Sequence, residues 1–235
     1  MAHLDTIAVL AGGLATRMRP LTETCPKALL EVAGEPFVHH QLRLFARRGL
    51  KRAVLLVGYL GEQIEADVGD GQRFGIAVDY VPDGDVLRGT GGALRNALAH
   101  LPEHFFVTYG DSYLDVDYAA VAAAFDPAAY PALMTLYRND GRYDRSNADL
   151  VDGRAMYRKT DVPAAWRHID FGLLAMTSVA LAGPADQRFD LAELLASFSA
   201  EGRLQAYEVD RRFYEIGSPT GLAETSAYIA SMDAA

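Results

Sequence analysis

Between residues 7 and 27 the chain gathers the residue types that handle a row of phosphates. An apolar run, Ile7-Ala8-Val9-Leu10, breaks into Ala11-Gly12-Gly13-Leu14-Ala15-Thr16-Arg17, and Lys27 follows directly after Pro26. A buried strand feeding a glycine turn exposes successive backbone N–H groups, which together seat an anion. Arg17 and Lys27 add positive charge beside that seat. The spacing is neither the G-x-x-x-x-G-K-[ST] phosphate loop nor the G-x-G-x-x-G dinucleotide fingerprint. A Gly-x-Ser-x-Gly elbow and a His-Glu-x-x-His zinc helix are absent as well. Cys25 is the single cysteine and has no adjacent histidine, which argues against a thiol nucleophile. His39 and His40 are neighbours on a helical pattern and point apart, so they read as packing or surface residues rather than metal ligands.

The elements that must hold these residues follow from apolar patterning. Runs at 53–57, 76–80 and 105–109 read as strands, and 36–48, 61–68 and 90–100 carry helical spacing. Pro36 suits a first helical turn and Gly49 a stop. Such alternation implies βαβ units, a largely parallel sheet and helices on both faces. We therefore expect an α/β fold, a Rossmann-like three-layer α/β/α arrangement with a mixed, mainly parallel sheet. Ligands of such sheets lie at the carboxyl ends of the strands, where the glycine turn and Gly110-Asp111 both fall. Further strands are expected at 132–137 and 171–176, and 148–151 and 154–158 form a hairpin about Asp152-Gly153. A helix at 190–200 starts at Asp190, with Glu193 completing a capping-box pattern. A last helix starts at Ser218-Pro219. No linker or repeat interrupts residues 1–235, which reads as one domain with halves at about 1–115 and 116–235.

Composition sets the outer bounds. The chain has 235 residues, half of them hydrophobic, and a formal net charge of −9. That charge disfavours nucleic acid and anionic membrane as partners. Asp5 precedes the first apolar run, which is too short for a signal segment, and no run approaches a membrane span. The expected location is the cytoplasm.

Residues 10–27, with Leu10-Ala11-Gly12-Gly13, Thr16-Arg17, Pro20-Leu21-Thr22 and Pro26-Lys27, resemble the amino-terminal motif of the sugar-1-phosphate nucleotidyltransferases. Four later segments resemble that family in the same order. They are Gly89-Thr90-Gly91-Gly92-Ala93, Gly110-Asp111, Ile169-Asp170-Phe171-Gly172 and Glu215-Ile216-Gly217-Ser218-Pro219. The resemblance runs from residue 7 to about 225 and implies transfer of a nucleoside monophosphate from a nucleoside triphosphate to a sugar 1-phosphate, with Mg²⁺ as cofactor. It implies nucleotide contacts at Leu10, Ala11, Gly12, Gly13, Leu14, Thr16, Gly89, Thr90, Gly91 and Gly110. It places Arg17 on the leaving pyrophosphate, Lys27 between the two reacting phosphates, and Mg²⁺ on Asp111 and Glu215. Asn147, Lys159, Asp170 and Gly172 fall at the sugar phosphate, and Tyr113 and Trp166 are further pocket residues by loop position.

Two departures bear on the site. The family's Asp-x-Gly appears as Glu215-Ile216-Gly217, which adds a methylene, and Glu215 can also cap the following helix. Where the family commonly has Glu-Lys, this chain has Arg158-Lys159, and Arg158 is expected in solvent. Asp85 and Arg88 read as solvated loop charges. A similar form occurs in heptose-1-phosphate guanylyltransferases, which leans the base towards guanine and leaves uridylyl and thymidylyl transfer open. Transfer to a non-sugar phosphorylated acceptor, as in molybdopterin guanylyltransferases, and a silent nucleotide-sugar-binding partner are the alternatives. Homo-oligomerisation is open. No appended domain is expected after the helix at 218–232.

Overall fold

The computed structural model describes residues 4–84, 88–184 and 188–233. The chain runs β1 (Thr6–Ala11), the ribbon β2 (Glu31–Val32) and β3 (Glu35–Pro36), α1 (Phe37–Arg47), β4 (Arg52–Val57), α2 (Gly61–Val68) and β5 (Ala77–Pro82). It continues through α3 (Gly89–Asn96), β6 (His104–Tyr109), β7 (Ser112–Tyr113), α4 (Tyr118–Ala124), β8 (Ala132–Arg138), β9 (Ala148–Val151) and β10 (Arg154–Tyr157). Then follow β11 (His168–Thr177), α5 (Leu191–Ala200), β12 (Leu204–Val209), β13 (Tyr214–Glu215) and α6 (Pro219–Asp233).

Nine strands form one sheet in the order β5-β4-β1-β6-β11-β8-β12-β10-β9. The first four are parallel, and β11 joins them antiparallel to β6. The sheet therefore passes without a break from one half of the chain to the other. Alternate side chains of each strand point to opposite faces. Ile7, Val9, Leu55 and Val57 pack on one face with Val38, Leu42 and Phe45 of α1. Ala8, Val54 and Leu56 pack on the other with Leu94 of α3 and Leu191 and Leu195 of α5. The result is the expected three-layer α/β/α fold with a mixed sheet. A third cluster, with Met18, Phe37, Tyr113 and Ile229, seats α6 against the amino-terminal segment.

Two details position the site. Asp152 and Gly153 have φ of +48° and +75°, so they turn the β9–β10 hairpin as their residue types predict. The two-residue strands β7 and β13 pair antiparallel, Ser112 opposite Glu215, and bring distant parts of the chain together. Among the described residues no helix is long and apolar enough to cross a membrane.

Candidate active site

A cleft of about 480 Å³ opens at the carboxyl ends of the parallel strands. One wall is the loop after β1, residues 10–16; Gly89, Thr90 and Ala93 form the other. Lys27, Tyr109, Gly110 and Asp111 close one end, and Asp83 and Arg188 also reach into it. The loop after β1 is held in shape by its own backbone. Ala15 takes a left-handed conformation, φ +48°. Its carbonyl oxygen accepts from Met18 N at 3.0 Å and from Thr22 Oγ1 at 2.8 Å.

At the Gly110-Asp111 end, Lys27 Nζ stands 2.9 Å from Asp111 Oδ2, with both side chains mostly covered. The turn carrying Asp111 is pinned from below. Gln41, buried on α1, donates through Nε2 to Tyr109 O at 3.0 Å and to Ser112 O at 2.9 Å. The β7–β13 ribbon and a bond from Ile216 N to Asp111 O, 3.0 Å, bring in the second acid. Glu215 accepts from Gly217 N, and Oε1 accepts from Ser218 Oγ at 3.0 Å; it is Ser218 that caps α6, its Oγ accepting from Gly221 N at 3.0 Å. Gly217 has no side chain for a reason. A Cβ there would collide with Glu215 Oε2 and lie 3.3 Å from an Arg17 nitrogen and 3.4 Å from Asp111 Oδ2. Two acids and the Arg17 guanidinium thus face one gap.

The second set of residues is joined differently. Asn147 Oδ1 accepts from Asp170 N, and Asp170 Oδ1 accepts from Gly172 N, both at 2.9 Å. This linkage sits where β11 shifts register against β8. Gly172 comes close to Ser112 and Leu114, next to Asp111. Protein surrounds the Asp170 carboxyl although the residue keeps a partly exposed edge, and burial pushes its pKa up to about 6, against the pull of the Gly172 N–H. Tyr109 lies between the two sets. Burial, reinforced by Asp170, Asp190 and Asp111, holds its phenol well above the usual range and therefore neutral.

Lys159 is not in that linkage. It pairs with Asp190, which also accepts from Thr90 Oγ1 at 2.9 Å and caps α5 through Ala192 N at 3.0 Å. Burial pushes the Asp190 carboxyl up, but the bonds from Lys159, Ala192 and Thr90 outweigh it and hold it below its ordinary value. The Asp190 cap is as expected, without a side-chain return from Glu193.

Of the residues expected at the nucleotide, Leu10, Ala11, Gly12, Gly13, Leu14, Thr16, Gly89, Thr90 and Gly110 line the cleft, as do Lys27 and Asp111. Gly91 corrects its expected place: it is set behind the wall, donating to Phe189 O at 3.1 Å beneath the Phe189 ring. Tyr113 is likewise a core residue, 1 % exposed, accepting from Arg47 at 3.0 Å. Trp166 lines a separate hollow with Asp140, Arg145 and Arg167, and Arg158 is exposed beside it. Arg88 donates to Asp83 O at 3.0 Å, and Asp85 lies outside the described residues. His40 donates to Val32 O at 2.7 Å inside the fold, and His39 bonds Asp67, so both serve packing. Burial raises the Cys25 thiol and keeps it protonated. Sequence reasoning missed Asp83, Gln41 and Arg188. Asp83 directly follows β5 on the ligand side of the sheet, and no sequence motif marks it.

A glycine-walled cleft with Arg17, Lys27 and two facing acids at the strands' carboxyl ends is thus the candidate site of this α/β fold. A family model described as the MobA-like NTP transferase domain matches residues 7–210, and the chain belongs to that family. It is 30 % identical to N-acetylmuramate alpha-1-phosphate uridylyltransferase of Caulobacter vibrioides over 98 % of this chain and 99 % of that one. The enzyme of the same name from Neisseria meningitidis is 39 % identical over 48 % of this chain, a match that spans about half of the relative (49 %). Among solved structures, HddC from Yersinia pseudotuberculosis superposes with a TM-score of 0.79 at 21 % identity, covering 96 % of this chain and 100 % of HddC. That likeness speaks to the fold.

Proposed function

We propose that the chain transfers a nucleoside monophosphate from a nucleoside triphosphate to a sugar 1-phosphate and releases pyrophosphate. The observation that carries this reading is the gap over Gly217, where Arg17, Asp111 and Glu215 converge beside Lys27 at one end of the cleft. A phosphate acceptor is already ionised at neutral pH, so the reaction needs neither a general base nor a covalent intermediate. What it needs is alignment and neutralisation of two anions that repel each other. Lys27 stands where it can bridge the α-phosphate and the incoming phosphate. Arg17 is suited to the leaving pyrophosphate, since its planar fork meets several oxygens at once. The backbone N–H groups of 11–14 hold the triphosphate.

The acids fit Mg²⁺. Two carboxylates facing one gap match an ion that takes one or two carboxylates, keeps several waters and completes its shell with phosphate oxygens. Among the described residues no cluster of three or more His, Cys, Asp or Glu is arranged for an all-protein shell. Asp111 and Glu215 would hold the ion, which when bound supplies positive charge to the phosphate oxygens. Asn147, Asp170 and Gly172 flank the acceptor, and Lys159, released from Asp190, reaches its phosphate.

The acceptor of the relative that matches along the full chain, N-acetylmuramate α-1-phosphate, is the first to try. Pyrophosphate release is measured with GTP, UTP, dTTP and CTP against that acceptor and other sugar 1-phosphates. Release with one pair and not the others is expected. Silence across the whole matrix would leave a nucleotide-binding module and overturn the transferase reading.

A further inference from the structure

A second hollow opens on the same edge of the sheet as the cleft. β6 and β8 both end at that edge, and β11, which lies between them and runs the other way, begins there. The loops 139–147 and 158–167 therefore leave the sheet on the side where Asp111 stands. Between them lies a hollow of about 560 Å³. The nucleotide cleft spreads from β6 in the opposite direction, towards Leu56 of β4. The hollow is thus on the far side of the Asn147–Asp170 linkage, two strand spacings or about 10 Å from β6. Backbone joins it to that linkage. Ser146 lines the hollow directly before Asn147, and Arg158 N donates to Asn147 O at 3.1 Å.

This region is positive in a chain of net charge −9: residues 138–167 hold seven Arg or Lys against five Asp. Asp140, the acid in the lining, is already surrounded. Arg138 Nε, Arg167 Nη1 and Arg142 Nη2 stand 3.3, 3.5 and 3.8 Å from its oxygens. Arg145, in the lining, and Arg158, at the rim, are left over. Both are exposed, and neither forms an ion pair among the described residues. Arg158 donates to Asp161 O at 3.3 Å, and its guanidinium lies 5.8 Å from the centre of the Trp166 ring. The rest of the lining is largely apolar: residues 162–165 read Val-Pro-Ala-Ala, and Trp166 follows. Guanidinium forks beside apolar surface suit a carboxylate carried on a short carbon arm. A second phosphate would turn oxygens towards the apolar residues and leave them unsatisfied.

Given the transferase reading above, on which this rests, we infer that the hollow is a subsite for a carboxylate on the far side of the acceptor sugar. Arg145 and Arg158 hold that carboxylate, and the preferred acceptor is an acidic sugar 1-phosphate. The test measures kcat/KM on the full chain with Mg²⁺ and the nucleoside triphosphate that supports most turnover. Two matched pairs serve as acceptors: N-acetylmuramate against N-acetylglucosamine 1-phosphate, and glucuronate against glucose 1-phosphate. The methyl ester of the N-acetylmuramate acceptor keeps the arm and removes its charge. In at least one pair the acidic member should be favoured about tenfold or more, the scale of a hydrogen bond to a charged group. Replacing both arginines, Arg145→Gln with Arg158→Gln, should remove most of that preference. Equal use of both members in both pairs, or preference for the uncharged ones, overturns the inference. So does a preference that the double variant keeps in full, or an ester used as well as a favoured N-acetylmuramate acid. These outcomes leave the transferase reading intact. No turnover with any acceptor and any triphosphate would remove both. The matched pairs and the ester decide the matter on the unaltered chain if the double variant does not fold.

Discussion

Lys27 faces two demands: a carboxylate partner now and two phosphates during the proposed reaction. Its bond to Asp111 is 2.9 Å long and mostly shielded from water, so the ammonium group is held in place before substrate arrives. Replacing Lys27 with Ala should cut turnover about 10²–10³-fold, the cost of losing one contact to developing charge. The thermal midpoint should stay close to the parent's; turnover near the parent's rate would refute the assigned role. Asp170 gives a prediction of opposite character. Its pKa rises from an ordinary value of 3.8 to about 6 because of burial, so the folded chain binds more protons than the unfolded chain between those values. Stability on this account falls as pH rises through that window, and the loss is complete above about pH 6. Asp170→Asn mimics the neutral acid and keeps an acceptor for Gly172 N–H. It should melt above the parent at pH 7.5 and level with it at pH 4; a variant less stable at pH 7.5 would refute the burial argument.

Single elements decide whether those residues meet. Gln41 projects from α1 and ties both sides of the Gly110-Asp111 turn through one amide nitrogen. Gln41→Leu fills the same space but leaves Tyr109 O and Ser112 O without that donor. Turnover should fall at least about tenfold, the scale of losing roughly 1.4 kcal/mol of alignment, while nucleotide affinity moves little. A drop confined to nucleotide affinity would refute the positioning role. The sequence foretold the elements with strong local signals: the apolar parallel strands, the Asp152-Gly153 hairpin, and α5 and α6 with their starts. It concealed β12, where Leu204-Gln205-Ala206-Tyr207-Glu208-Val209 shows no clear period because only its two ends are buried. It also concealed the β7–β13 ribbon, since two-residue strands are defined by each other rather than by pattern. The glycine loop, Lys27 and Asp111 were visible as a motif. Gln41 and Asp83 were not, because a helical Gln and a strand-end Asp look ordinary until the fold shows what they touch.

At the scale of the molecule, the two halves have little scope to act independently. β11 completes β6, so Phe106 and Val107 pack against Ala175 and Leu174 across the midpoint of the chain. Asp190 adds a second tie, joining Lys159 of the later half to Thr90 of the nucleotide wall. A continuous sheet with shared cores on both faces should unfold as one unit. Trp166, the single tryptophan, sits in the later half and reports there, whereas far-ultraviolet circular dichroism averages the whole chain. The two probes should melt at one temperature. A nucleoside triphosphate at a hundred times its dissociation constant adds about 2.7 kcal/mol to the folded state. At about 2–4 °C per kcal/mol for a chain of this size, both curves should rise together by about 5–11 °C. Were Trp166 to melt separately, or fail to follow the nucleotide, the sheet would not couple the halves. Nucleotide binding could then not prepare the acceptor side, and the Asp190 tie would be a local helix cap.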